Sequence, residues 1–183
     1  MNSHRTCASQ PLPHPVFLSL EAAEGWLLLN NSVEAMAELE NVPPQYRTYP
    51  KALALEWKAA DALRQPQRAW WAARKLCEVM PECGTAWICQ ANSLCQIQGP
   101  QAAADLLLSV VLRFAEEPIL EYNLACYLAQ AGDVHKAATW LLQSFEKDPH
   151  GQLRRLALLD PDLRPLRELI GHQSHVAVCT GPR

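Results

Sequence analysis

Residues 121–149 read Glu-Tyr-Asn-Leu-Ala-Cys-Tyr-Leu-Ala-Gln-Ala-Gly-Asp-Val-His-Lys-Ala-Ala-Thr-Trp-Leu-Leu-Gln-Ser-Phe-Glu-Lys-Asp-Pro, and this stretch decides the fold. Leu124, Tyr127, Leu128 and Ala131 fall at helical spacing and form one apolar stripe. Gly132-Asp133 then interrupts it. Glycine enters the left-handed backbone that ends a helix, and the Asp133 carboxylate can cap the helix that follows. Ala137, Leu141, Ser144 and Phe145 make a second stripe, which stops at Asp148-Pro149. The segment is therefore a helix–turn–helix hairpin.

The same layout recurs upstream. Helical patterns at Thr85–Gln98 and at 100–114 flank Gly99-Pro100, with Trp87, Ala91 and Leu94 on the first stripe and Ala104, Leu107, Leu108 and Val111 on the second. Gly99 and Gly132 are 33 residues apart. Pro50–Leu63 and Pro66–Val79 form another pair around Arg64-Gln65. Trp57, Ala60 and Leu63 are expected inside on its first helix, and Ala69, Ala73, Leu76 and Met80 on its second. Phe17–Leu29 and Ser32–Val42 are the most diverged pair; their turn is Asn30-Asn31, and Ser32 with Glu34 and Ala35 offers a capped start. Prolines at 43, 81, 118 and 149 terminate the four hairpins.

Composition agrees. Apolar residues make up 49% of the 183 and charged residues 19%, enough for a core; only 7 glycines occur and β-branched residues are few. The 14 prolines require short, punctuated helices. The expectation is an all-α solenoid of about four antiparallel hairpins at 16–43, 50–81, 85–118 and 119–149. A flexible leader (1–15), capping helices (150–170) and a tail (171–183) complete it. A single hairpin cannot bury its apolar face, so several must stack.

The net charge is −3 and no basic run occurs, so nucleic-acid binding has no electrostatic footprint. Residues 21–50 hold five Glu and one Arg, whereas residues 51–84 hold six basic and four acidic groups; such swings are solvated helix faces. No apolar run could span a bilayer and the first residues lack a signal-peptide h-region, which points to a cytoplasmic protein. The 7 cysteines contain no C-x-x-C pair and suit a reducing compartment.

Chemistry-bearing patterns are sparse. His172, His175 and Cys179 have ligand-like spacing but lie in the expected tail with no fourth donor nearby. Asp160 and Asp162 flank Pro161 and read as a helix end and a helix start rather than an acid–base pair. Phosphate-binding loops are absent. These observations predict no cofactor, no metal site and no catalysis. Trp70-Trp71 cannot both point inward, so one of the two is a candidate contact residue.

Tyr122-Asn123-Leu124-Ala125-Cys126-Tyr127, Ala131-Gly132-Asp133, Ala137 and Asp148-Pro149 together resemble a tetratricopeptide repeat. Residues 156–166, Leu-Ala-Leu-Leu-Asp-Pro-Asp-Leu-Arg-Pro-Leu, resemble the segment that often closes bacterial arrays of such repeats. The strong resemblance covers roughly residues 85–170, and Trp57 departs from it by standing where the family has a small residue. The resemblance implies a non-catalytic scaffold or adaptor that takes a protein or peptide in a concave groove lined by the first helix of each hairpin. Groove candidates are then Phe17, Leu20 and Glu24 on the first hairpin. Lys51, Ala54, Lys58 and Asp61 follow on the second, Cys89, Ser93 and Gln96 on the third, and Tyr122, Cys126 and Gln130 on the fourth. Asn123 matches a position where related arrays grip a peptide backbone, an amide being both donor and acceptor. Lys51 and Lys58 share a face, but the basic-plus-Asn set of a carboxylate clamp is incomplete. Alternatives are a chaperone for a secreted or assembly substrate, self-association, and, from a different class, a small thiol- or metal-dependent enzyme.

Overall fold

The computed structural model describes residues 12–170 and contains no strand among them. Among the described residues the fold is all-α, with residues 167–170 helical and nine longer helices joined by short turns. These are α1 (His14–Leu28), α2 (Ser32–Glu40), α3 (Pro50–Ala62), α4 (Pro66–Val79), α5 (Gly84–Gln98), α6 (Pro100–Leu108), α7 (Pro118–Gln130), α8 (Val134–Glu146) and α9 (Gln152–Leu159). Among the described residues, the 3-10 turns Pro44–Tyr46, Val111–Phe114 and Pro161–Leu166 link or follow them. The chain divides into two compact units, with the boundary after Ser93, inside α5.

Local chemistry explains the turns. Each hairpin needs one residue in left-handed backbone where its first helix ends. Gly99 (φ 91°) and Gly132 (φ 89°) supply it without strain, while Asn30 and Arg64 (each φ 56°) supply it elsewhere. Asp133 caps α8 by accepting from the Lys136 amide at 3.2 Å. Asn31, rather than Ser32, caps α2, accepting from the Glu34 amide at 3.3 Å. Proline opens α3, α4, α6 and α7, where a missing N–H costs nothing. Pro118 is therefore the first residue of α7 rather than the end of the preceding hairpin.

Three expectations are corrected. The pattern over 100–114 is not one helix: α6 stops at Leu108, where the Ser109 hydroxyl donates to the Leu106 carbonyl at 2.6 Å and ties off the last turn. Met80 is not in the core. Helix α4 ends at Val79, Met80 leaves the helical register (φ −131°, ψ 62°), and its side chain is 39% exposed. α1 begins at His14, within the stretch read as leader.

In the first unit, α1 packs on α2, α3 on α4, and α3 also on α1 and α2. Alanines predominate among the buried residues of the α3–α4 seam. Ala59 and Ala60 of α3 and Ala69, Ala72 and Ala73 of α4 are all fully buried. Trp57, too large for that seam, sits partly buried beside the core and donates from Nε1 to Ser93 Oγ at 3.0 Å. A smaller cluster gathers Leu53, Leu76, Cys77 and Ala86. Trp71 is 44% exposed, while Trp70 lies partly buried under the Arg74 guanidinium.

In the second unit, α7 is the central element. It packs against α6, α8 and the Pro161–Leu166 turn, and residues 120–129 are buried save Asn123. On α8 the buried residues are Ala137, Leu141, Ser144 and Phe145, the stripe read from the sequence. Lys147 Nζ bonds both the buried Glu121 carboxylate at 2.6 Å and the Ala115 carbonyl at 2.8 Å, so the end of α8 is tied to the start of α7.

Candidate functional site

Helices α1 and α3 bring three charged side chains together in the first unit. Lys51 donates to Glu21 and lies 2.7 Å from Glu24. Hydrogen bonding to Glu21, then to Glu24, raises the Lys51 pKa; the Lys51 hydrogen bond in turn lowers that of Glu24. One ammonium thus serves two carboxylates. Lys58, two turns further along α3, is exposed and acts on Glu24 through space.

Beside Lys51 lies an open pocket of about 590 Å³. Tyr49, Pro50 and Lys51 form one wall and residues 79–83 the other. It exists because α3 begins with a proline-led turn and α4 ends early. Val79 at the end of α4 and Met80 just beyond it then face water instead of the core. Val79 and Met80 are 44% and 39% exposed, apolar surface that a ligand can cover. Lys51 is among the groove candidates read from the sequence, whereas Tyr49, Val79 and Met80, which line this pocket with it, are not. The signal for Met80 was available: Met80-Pro81 bars helical backbone at Met80.

The candidates of α5 fall in different surroundings. Cys89 and Ser93 are buried, and Ser93 accepts from Trp57 while donating to the Cys89 carbonyl at 3.1 Å. Gln96 is exposed.

In the second unit, the α7 candidates meet the closing segment. Tyr122 and Cys126 are buried, and both side chains point to Asp160. The Tyr122 hydroxyl donates to Asp160 Oδ2 at 2.7 Å, and Cys126 Sγ lies 3.7 Å from the same oxygen. Asp160 Oδ1 accepts from the Asp162 amide at 3.0 Å, so this carboxylate also caps the Pro161–Leu166 turn. Burial, then the bond to Asp160, raises the Tyr122 pKa, and burial, then the Asp160 charge, raises that of Cys126. The Asp162 carboxyl is raised by burial and by Asp160. The chain's own closing segment therefore covers this part of α7. Asn123 is partly exposed and its Nδ2 donates to the Ile119 carbonyl at 2.8 Å, while Gln130 is exposed.

The thiols are arranged for packing. Burial pushes Cys77 and Cys89 up to about 12, so neither supplies a thiolate near neutral pH. Among the described residues, no group of three or more His, Cys, Asp or Glu side chains could hold a metal ion. His172, His175 and Cys179 lie outside the described residues. No helix among the described residues is long and apolar enough to cross a membrane.

No protein-family model and no curated protein matches the sequence. Solved structures do match the fold. A segment of MamA (41-end) from Desulfovibrio magneticus RS-1 aligns over 94% of this chain and 100% of its own, with TM-score 0.66 and 17% identity. A further MamA crystal structure aligns over 88% of each chain, with TM-score 0.64 and 15% identity. YrrB, described as a TPR protein with an unusual peptide-binding site, aligns over 86% of this chain and 90% of its own, with TM-score 0.57 and 15% identity. At these identities the likeness is one of fold: the chain is a TPR-like, all-α solenoid of helical hairpins.

Proposed function

We propose that this TPR-like chain is a non-catalytic scaffold or adaptor that captures a polypeptide segment. The observation that carries the reading is the open, largely apolar pocket between the start of α3 and the end of α4, with the Lys51–Glu21–Glu24 group at its side. Exposed apolar walls supply binding free energy when covered, and a few fixed charges set register. The raised thiols of Cys77 and Cys89 favour binding over thiol catalysis. The cysteines Cys77, Cys83, Cys89, Cys95 and Cys126 are all free, which suits a reducing compartment such as the cytoplasm.

Among the groove candidates, Lys51, Lys58, Gln96, Asn123 and Gln130 keep surface for a partner, whereas Cys89, Ser93, Tyr122 and Cys126 are buried by the protein itself. The binding surface of the first unit is therefore the better placed. Selection of random twelve-residue peptides on the immobilised full-length chain tests the reading, with affinity then measured by calorimetry. The expected result is recovered peptides with Kd of roughly 1–100 µM, ordinary for a short segment on an open surface. Failure to recover any binding peptide would contradict the function.

A further inference from the structure

We infer that Cys83 is a site of reversible oxidation by hydroperoxides, and that Cys77 traps its oxidised form as a Cys77–Cys83 disulfide. This use of the thiols is independent of peptide capture.

Three thiols gather where α4 gives way to α5. Cys77 is buried with Leu53, Leu76 and Ala86, Cys83 packs against that same cluster, and Cys89 follows on α5. The three are near enough to act on one another through space. The backbone brings the first two together. The Met80 amide donates to the Leu76 carbonyl at 2.8 Å and the Cys83 amide to the Met80 carbonyl at 3.1 Å, so the chain doubles back and returns Cys83 to the end of α4. The Cys83 carbonyl then accepts from the Ala86 amide at 3.0 Å and starts α5. Cys89 lies further along that helix, about 9 Å from Cys83 by helical rise, more than the roughly 7 Å that a disulfide can bridge between Cα atoms. Of the two buried neighbours, Cys77 is the one left to pair with Cys83.

Access decides which sulfur reacts first. Cys83 is partly exposed and lines the open pocket of about 590 Å³, which admits a small peroxide, whereas Cys77 and Cys89 are each 6% exposed. The Cys83 thiolate attacks the hydroperoxide; an S–O bond forms, the O–O bond breaks, and water or an alcohol departs, leaving a sulfenic acid. The Cys77 sulfur then gives up its proton and attacks the Cys83 sulfur. The S–S bond forms, the S–O bond breaks, and the proton leaves with the hydroxide as water. In all, two thiols are oxidised and one hydroperoxide is reduced. Burial pushes the Cys77 thiol up to about 12, which keeps it from meeting peroxide on its own and reserves it for an electrophile held beside it. The bridge ties down residues 78–82, most of which form one wall of the pocket.

Hydrogen peroxide added to the reduced full-length chain, followed by blocking of free thiols with N-ethylmaleimide, tests the pair. Digestion after glutamate cuts at Glu78 and Glu82, so a Cys77–Cys83 link joins two peptides and is read by mass spectrometry. This link should be the main product, and excess glutathione should remove it. Dimedone, which captures sulfenic acids, should label Cys83 at least about fivefold more in Cys77→Ala than in the parent, because the trapping thiol is gone. Cys83→Ser, with native circular dichroism, should leave Cys77 reduced under the same treatment. Absence of Cys83 oxidation, a bridge from Cys83 to any other cysteine, dimedone labelling that Cys77→Ala leaves unchanged, or oxidation of Cys77 in Cys83→Ser at the parental rate would overturn the inference. Should Cys77→Ala fail to fold, the link in the parent and its loss in Cys83→Ser decide.

Discussion

Tyr122→Phe isolates the bond that fastens the closing segment onto α7. Tyr122 is 3% exposed and its hydroxyl donates to Asp160 Oδ2 at 2.7 Å. A hydrogen bond to a charged acceptor contributes about 1.5–3 kcal/mol. Asp160 is only partly buried, so water can replace part of the lost bond, which sets the expectation at the lower end, about 1.5 kcal/mol. For a unit of this size, a urea m-value of about 1–2 kcal/mol/M converts that loss into a midpoint lowered by roughly 1 M. Hydrogen exchange of the α7 amides, followed through the urea titration, reports the second unit without the first. Asp160→Asn and the double variant complete a cycle, and the coupling energy should be about 1 kcal/mol or more. A midpoint unchanged by Tyr122→Phe, or a coupling near zero, would refute the idea that Asp160 holds α7.

Further outcomes follow from other features of the fold. Arg64→Gly, at φ 56°, should stabilise the first unit by about 0.5–1 kcal/mol, whereas Gly132→Ala, at φ 89°, should destabilise the second by about 1 kcal/mol or more, both measured by denaturant unfolding. Ser93→Ala removes the acceptor of Trp57 Nε1 and should cost about 1–2 kcal/mol, with a shift in tryptophan emission as the indole loses its partner. Cys77 and Cys89, pushed up to about 12, should resist alkylation in the native protein at pH 8 and react once it is unfolded. Their folded pKa values are raised, so the unfolded state loses these protons first; stability should be level below pH of about 9 and fall as pH climbs toward 12, less steeply in Cys77→Ala.

How much of this was legible depended on whether the signal was local. The α7–α8 hairpin was read residue by residue because its period, its Gly132 turn and its Asp133 cap all lie within one stretch. Arg64 carried no such signal. Its left-handed backbone is imposed by the packing of α3 on α4 and not by its own preference. Trp57 looked like a core residue by spacing, yet the alanine seam left no room for it, and its indole found Ser93, 36 residues away. The α7 candidates failed to stay open for a similar reason. Tyr122 and Cys126 fall at groove positions by register, but nothing in that register reveals that Asp160, 38 residues beyond Tyr122, bonds to it. The pocket was hidden because a one-residue departure from helical register at Met80 moved a predicted core side chain to the surface.

Polypeptide capture is proposed to occur in the apolar pocket between the start of α3 and the end of α4. Hydrogen exchange of the full-length chain with and without a selected peptide tests it most directly. Slowed exchange is expected at the start of α3 and across residues 79–84, with α7 unchanged. Slowing confined to residues 118–130, or none at saturating peptide, would contradict it.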